Sequence, residues 1–442
     1  MPHCFAGRRV MKSVPLNDTS NFELISGLWK GARGPLKSAR VLRSTNFAGD
    51  GLLDFDDVVE LEVEDRHFAS RQLQPGDIII ERSGGGPKQP VGRAALFVPF
   101  DDHTYFSSNF TTTIRIRDRS LFDPGYVALY LHALYLDGAT ETLQRATTGI
   151  RNLDWREYLR IEVPAHPLQE QQSLAHLIIG VRTAYRNEQH LSQTFMALKR
   201  SALSSIFTRD LRGEAQKDTE IGPMPESWGL EPIAAHFSVV SGGTPSRGDP
   251  AYWTGGSIPW IKTTEVAYCQ ITETEKHITP KGLQDSAAKL LPKGTLLIAM
   301  YGQGVTRGKV AILGIEAACN QACAAMVPIN NLVHTRYLYH FLTWRYEDIR
   351  SLAHGGQQQN LNLEMVRDLL FATPPSHAEQ DEIVSIIDAI DRKIDLHRRK
   401  RHVLEEMFKS LLHKLMTGEI SVSDLDLSAL SPASTQHEET TA

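Results

Sequence analysis

The stretches QPGDIIIERSGGG (residues 74–86) and PKGTLLIAMYGQG (292–304) decide the fold, because they are two versions of one phrase. Each has a turn glycine, Gly76 or Gly294, then an apolar run, then a second glycine cluster, and the two turn glycines lie 218 positions apart. A short apolar run bounded by turn residues reads as a strand. Outward from this pair the match continues. VGRAALF (91–97) answers RGKVAIL (307–313), SSNFTTTIRI (107–116) answers ACNQACAAMVPI (318–329), and TGIRNLDWREYLRIEVP (148–164) answers GGQQQNLNLEMVRDLLFATP (355–374). QEQQ (169–172) then answers AEQDE (378–382). Self-similarity at a nearly fixed offset marks a duplicated module. The chain is read as two copies of one mixed strand-rich unit, each followed by a long helix.

The glycine run YGQGVTRGKV (301–310) invites a phosphate-binding reading, which its spacing denies. A Walker loop needs G-x-x-x-x-G-K-[ST], and here Gln303 stands at the first glycine and Val310 at the hydroxyl position. A turn between two strands accounts for it better. Cys319 and Cys323 have no second pair to complete a zinc cluster. Their counterparts in the first copy are read as Ser108 and Thr112, so small buried side chains are expected and no metal.

The 442 residues exceed one core, and 41% hydrophobic with 22% charged content describes an ordinary globular chain. Four cysteines, no signal peptide and no apolar run of spanning length lead to the expectation of a cytoplasmic protein without membrane contact. The net charge of −5 carries no global sign of a nucleic-acid binder. Locally the charge is sorted: Lys30, Arg33, Lys37, Arg40 and Arg43 run without an acid, whereas Asp50 to Asp65 carries eight acids and no base. That is either an anion-binding face or a set of mutual salt bridges.

From 383 the apolar positions fall at Ile383, Ile387, Ile390, Ile394, Leu404, Phe408, Leu411 and Leu415, with His397 and Arg401 in the two skipped places. This four-three alternation is a coiled-coil seam. The same frame in the first copy runs Leu174, Ile178, Val181, Tyr185, Glu188, Ser192, Phe195, Lys199, Ala202 and Ile206. A helix of about 33 residues, or about 50 Å, does not bury such a stripe by itself. Antiparallel pairing about the two midpoints sets Glu188 against Arg401 and Ser192 against His397, a polar layer that fixes register. The alternative is that each stripe covers only its own domain. RRKR (398–401) is bracketed by acids and reads as a solvated face.

SGGTPSRGDPAYWTGGSIPWIKTTEV (241–266), the glycine-turn strands, GGQQQNLNLEMVRDLLFATPPSHAEQDEI (355–383) and KLMTGEI (414–420) together resemble the specificity subunit of type I restriction-modification systems, over nearly all of residues 20–420. The resemblance implies an α+β chain with two target recognition domains in tandem, separated by two long helices that form an antiparallel coiled coil. Its boundaries would be a lead-in at 1–18, domains at 19–165 and 213–375, spacer helices at 166–212 and 376–420, and a disordered tail at 421–442. It also implies that each domain reads one half of a split DNA target and that two methyltransferase (modification) and two restriction/translocase subunits join. S-adenosylmethionine, ATP and Mg²⁺ would then belong to those partners, with no cofactor in this chain. A spacer of about 50 Å matches roughly 15 base pairs, one helical turn or more. The first copy departs from the pattern: SGLWKGARGPLKSARVLRSTNF (26–47) replaces the GGTP…PW stretch, aligned so that Thr45 matches Thr264.

For DNA contact the basic, amide and aromatic side chains on loops are the candidates, arginine for guanine and amides for adenine. They are Arg33, Lys37, Arg40, Arg82 and Lys88 in the first domain, and Arg247, Lys262, Tyr301, Gln303 and Arg307 in the second. Trp253 and Trp260 are expected to pack the fold. No catalytic residue is expected: TPPS (373–376) lacks both ends of the adenine methyltransferase [NDS]-P-P-[YF] loop, and the histidines form no H-E-x-x-H pair. Two other readings stand: a specificity subunit serving a methyltransferase without a restriction subunit, and a coiled-coil adaptor that never meets DNA.

Overall fold

The computed structural model describes residues 12–31, 34–85, 89–99, 101–147, 150–302, 305–352 and 360–421. They divide into two compact units, one ending at Glu188 and resuming at Arg399, the other being Gln189–Arg398.

In the first unit the strand Ile78–Glu81 is buried at every position. Its side chains alternate between two cores, as the period of two along a strand requires. Ile78 and Ile80 join Phe22, Ile114 and the helix Pro124–Leu136 on one face, and Ile79 joins Leu42, Phe97 and Tyr105 on the other. The strand is flanked by Thr111–Ile116 and Ala94–Leu96, and Phe22–Ser26 completes a four-stranded antiparallel sheet. A second sheet has Leu36–Leu42 in the middle, antiparallel to Val59–Glu64 and parallel to Tyr105–Ser107.

The second unit repeats this plan strand for strand. Phe237–Ser241, Cys323–Pro328, Leu296–Ala299 and Val310–Leu313 pair in the same order, with Gln270–Ile271 added in parallel at the edge. Leu296 and Ile298 face one core, Leu297 and Ala299 the other. The small sheet has Ile258–Ile261 antiparallel to Lys276–Ile278 and parallel to Ala318–Cys319. Gly76 at φ +91° and Gly294 at +88° make the same left-handed turn before the central strand, a conformation that costs an L side chain.

The ladders refine the alignment. Ser26 faces Thr112 as Ser241 faces Ala324, which sets Cys319 beside Ser107 and Cys323 beside Thr111, one residue earlier than Ser108 and Thr112. All four are at least 98% buried small side chains. The hydrogen bond with Cys323, together with burial, pushes the Cys319 thiol up. Residues 44–46 and 263–265 form equivalent turns, in which the Arg43 amide donates to Asn46 Oδ1 and the Lys262 amide to Glu265 Oε2. The Thr45–Thr264 match therefore holds.

The N-terminal lead-in is shorter than 1–18. Ser13–Pro15 pairs with Glu162–Pro164, and Val14 and Leu16 are buried in the first core. The second copy has the same clamp, Gly229–Pro232 on Leu370–Thr373. Trp260 is 1% exposed, donates from Nε1 to Gly243 O and meets Trp253 edge-on at 5.0 Å.

The long helices are Leu168–Arg209 and His377–Met416, 42 and 40 residues, or about 60 Å each. All ten seam positions on each helix are buried or half-buried, between mostly exposed neighbours. In the first unit Leu174, Ile178 and Val181 share a core with Phe408, Leu412 and Leu415. In the second, Leu203, Ile206 and Phe207 share one with Ile383 and Ile387. The start of one helix meets the end of the other in one unit, and the reverse holds in the other, so the pair is antiparallel. Within the first unit Glu188 pairs with Lys400 at 3.8 Å, the neighbour of the expected Arg401. Within the second, His397 stacks on Phe195 at 5.2 Å, Ser192 is 3% exposed, and Lys199 holds Asp391 at 2.6 Å.

Asp388 anchors the second helix to its domain through Arg336 (2.9 Å) and His340 Nε2 (2.8 Å). Desolvation raises its pKa, but the hydrogen bonds from His340 and Arg336 prevail and hold it at about 2. An unfolded aspartate titrates near 3.9, so this contribution is full above about pH 4 and is lost as pH falls toward 2. Asp388→Asn should cost ~1–2 kcal/mol at pH 7 in denaturant titrations, discounted for partial exposure, and should flatten the acid limb of stability in that window. Trp260→Ala should cost ~3–5 kcal/mol in the same assay.

Candidate nucleic-acid interface

Antiparallel pairing brings particular loops to one edge of each main sheet. In the first unit, Ser26 faces Thr112 and Glu81 faces Thr111, so the segments after Ser26 and Glu81 and the turn before Thr111 emerge together. In the second unit the segments after Ser241 and Ala299 and the turn before Cys323 do the same. Of the sequence-predicted residues, Arg82 leaves this edge in the first domain, and Arg247, Tyr301 and Arg307 leave it in the second. Lys37 and Arg40 instead belong to the small sheet of the first domain, and Lys262 directly follows the strand Ile258–Ile261 of the second. Arg33, Lys88 and Gln303 lie outside the described residues.

The edge is built differently in the two copies. Arg93 grips buried Glu81 through two hydrogen bonds of 2.7 and 2.8 Å and donates to the carbonyls of Ser44 and Phe47, fastening the 44–47 turn to the sheet. Ala299 and Lys309 occupy the corresponding strand positions in the second copy, where Lys309 Nζ lies 5.7 Å from the Tyr268 ring. Arg82 stacks on Trp155 at 4.8 Å and donates to Thr112 at 3.3 Å, and burial pulls its pKa down. Arg307 is 9% exposed. Tyr301 is 41% exposed, and Arg247 is exposed with no ion pair to a described residue.

The sorted charge of residues 30–65 resolves into ion pairs. The basic strand Leu36–Leu42 lies against the acidic strand Val59–Glu64, with Arg40 opposite Glu60. Lys37 pairs with Asp65 at 2.7 Å, Arg40 with Asp101 at 3.1 Å and Arg43 with Asp57 at 3.1 Å. Lys37, Arg40 and Arg43 are thus matched by acids and do not form an open anion-binding cradle. Lys262 likewise pairs with Glu275. Exposed pairs of this kind are worth little, so an external anion would displace these carboxylates at small expense. The cluster His340, Asp388 and Asp391, whose ligand-type atoms lie within 4.8 Å, is already neutralised by Arg336 and Lys199.

Sequence reasoning missed Trp29 and Phe110. They are 63% and 40% exposed, and their rings meet edge-on at 6.2 Å on the same sheet edge. The available signal was a tryptophan beside a lysine in a glycine-flanked loop, GLWKG (27–31).

Residues 227–406 match the type I restriction modification DNA specificity domain. A type I restriction enzyme specificity subunit of Methanocaldococcus jannaschii is 28% identical over 215 residues, 46% of this chain and 48% of that one. One from Escherichia coli is 29% identical over 152 residues, 34% of this chain and 37% of that one. The matched part thus spans half or less of these two relatives. Another M. jannaschii specificity subunit aligns over 67% of this chain and 71% of its own length at 20% identity. In fold, the S subunit of the M. genitalium type I restriction-modification system superposes with a TM-score of 0.61 at 15% identity, over 92% of this chain and 97% of that one. A chain from a structure of type I complex assembly and conformational transition gives 0.50 at 17% identity, over 90% and 98%. With a duplicated frame, two paired long helices and these likenesses, the chain is similar to the type I restriction-modification specificity subunits, and its residues 227–406 match their DNA specificity domain.

Proposed function

We propose that this chain is the DNA-reading and scaffolding subunit of a type I restriction-modification complex, each domain reading one half of a split, asymmetric target. The observation that carries the reading is a repeated frame with unrepeated edge chemistry. Two domains of one topology present Arg247 and Tyr301 at the edge in one copy, and Trp29, Lys30 and a fixed Arg82 in the other. Matching scaffolds with different readers favour two different half-sites over a palindrome. In this reading the paired long helices set the gap between the half-sites.

In this reading two modification subunits dock on the chain and methylate adenine using S-adenosylmethionine, and two restriction subunits translocate and cleave with ATP and Mg²⁺. The chain itself supplies recognition and geometry. Arg247 is the foremost candidate for a guanine contact in the second half-site, because its guanidinium is exposed and has no described ionic partner to surrender. Lys37, Arg40 and Lys262 serve phosphates, exchanging exposed carboxylate partners for the duplex.

The test is selection from a randomised duplex pool by the chain assembled with its modification subunits. Arg247→Ala should relax specificity by ~1–3 kcal/mol at positions of one half-site only, whereas Lys37→Ala should weaken all sequences alike and lower the salt dependence. Recovery of no sequence, or of equal changes in both half-sites, contradicts the proposal. A complex with modification subunits that selects DNA but recruits no restriction subunit identifies a stand-alone methyltransferase.

A further inference from the structure

We infer that Trp29 and Phe110 form an aromatic reading contact of the first domain, touching base edges of its half-site; the inference rests on the DNA-reading role proposed above. Two large aromatic groups on adjacent loops are costly to leave in water, and here the backbone holds them there. Leu28, 1% exposed, anchors the loop: its amide donates to Ser107 O at 2.7 Å and its carbonyl accepts from Asn109 at 2.8 Å. Gly27 lets the strands approach so closely that a Cβ would stand 1.8 Å from Ser108 O. Trp29 and Phe110 therefore project from a stitched, preorganised turn. Aromatic side chains held in place give much contact area for little lost conformational entropy.

Their surroundings fit a duplex. Lys30 and Asn109 are the exposed neighbours in sequence, and neither side chain has an ion pair or hydrogen bond to a described residue. An aromatic pair, a cation and an amide on one edge supply apolar contact to thymine methyls, phosphate attraction and adenine recognition.

The second copy shows that the frame does not require these aromatics. Gly242 makes the same close approach, with a Cβ 2.2 Å from Cys319 O, and the Gly243 amide donates to Cys319 O at 2.9 Å, as Leu28 does to Ser107. By these registers Thr244 stands for Trp29 and Ala322 for Phe110, and the Thr244 hydroxyl bonds to Gln321. At these two positions the first copy carries aromatics and the second does not, so the pair is a difference between the two copies and not a part of their common core.

The experiment uses the full chain assembled with its modification subunits, and the duplex which that wild-type complex selects from a randomised pool. Trp29→Ala and Phe110→Ala should each reduce discrimination against base changes in one half-site on the order of tenfold, leaving the other half-site unchanged. Trp29→Phe should keep most of the discrimination. Adding the selected duplex should quench tryptophan emission in the wild type and less in Trp29→Phe. Unaltered discrimination, equal weakening of all sequences, or a defect only in assembly with the modification subunits overturns the inference while leaving the DNA-reading role intact. Failure of the wild-type complex to select any sequence overturns both.

Discussion

Each long helix carries an apolar stripe that it does not bury alone, and antiparallel pairing joins that stripe to the largest core of each unit. In the first unit Leu174, Ile178 and Val181 close over Phe408, Leu412 and Leu415, and the same side chains roof the helix Pro124–Leu136 above the sheet. In the second, Phe207 packs at once on Ile383, Ile387 and the aromatic cluster of Trp228, Tyr337 and Phe341. The helices are thus part of each domain's core as well as a seam. The polar positions within the seam make specific contacts, Glu188 with Lys400 and Lys199 with Asp391, which specify orientation and register at some loss of apolar burial.

A frame fixed this way leaves the far edge of each sheet free to vary. The central strands are buried on both faces, and their ladders are the same in the two copies. What the loops after them carry differs. Glu81 and Arg93 lock the edge in one copy where Ala299 and Lys309 stand in the other, and Trp29 gives way to Thr244. Loops on a rigid scaffold tolerate substitution without disturbing the core, which would let one topology carry two different readers.

Much of this was legible in the sequence, because duplication states the fold twice. The central strands, the helix seam and the role of the glycines follow from spacing alone, and Gly294 confirms what Gly76 implies. Fine register does not. An alignment with gaps left Cys319 one residue away from its true partner Ser107, since only backbone ladders distinguish neighbouring small residues. The strand at Ser13–Pro15 was missed because three residues carry no period, although Gly229–Pro232 repeats it. Candidate DNA contacts were the least legible. A basic residue in sequence carries no sign of its neighbours, and the structure gives Lys37, Arg40 and Lys262 acidic partners, buries Arg307 and lays Arg82 on Trp155. Exposed Trp29 is the converse case, a hydrophobic residue whose location makes it a reader.

The central claim is that two copies of one frame read two different half-sites across a fixed gap. The most direct measurement is a map of methylated adenines in the genome of a cell that carries this chain with its modification subunit. The account predicts a single motif of two unlike half-sites separated by a constant number of unread bases. A contiguous motif, a palindromic one, or methylation that does not depend on the chain would contradict it.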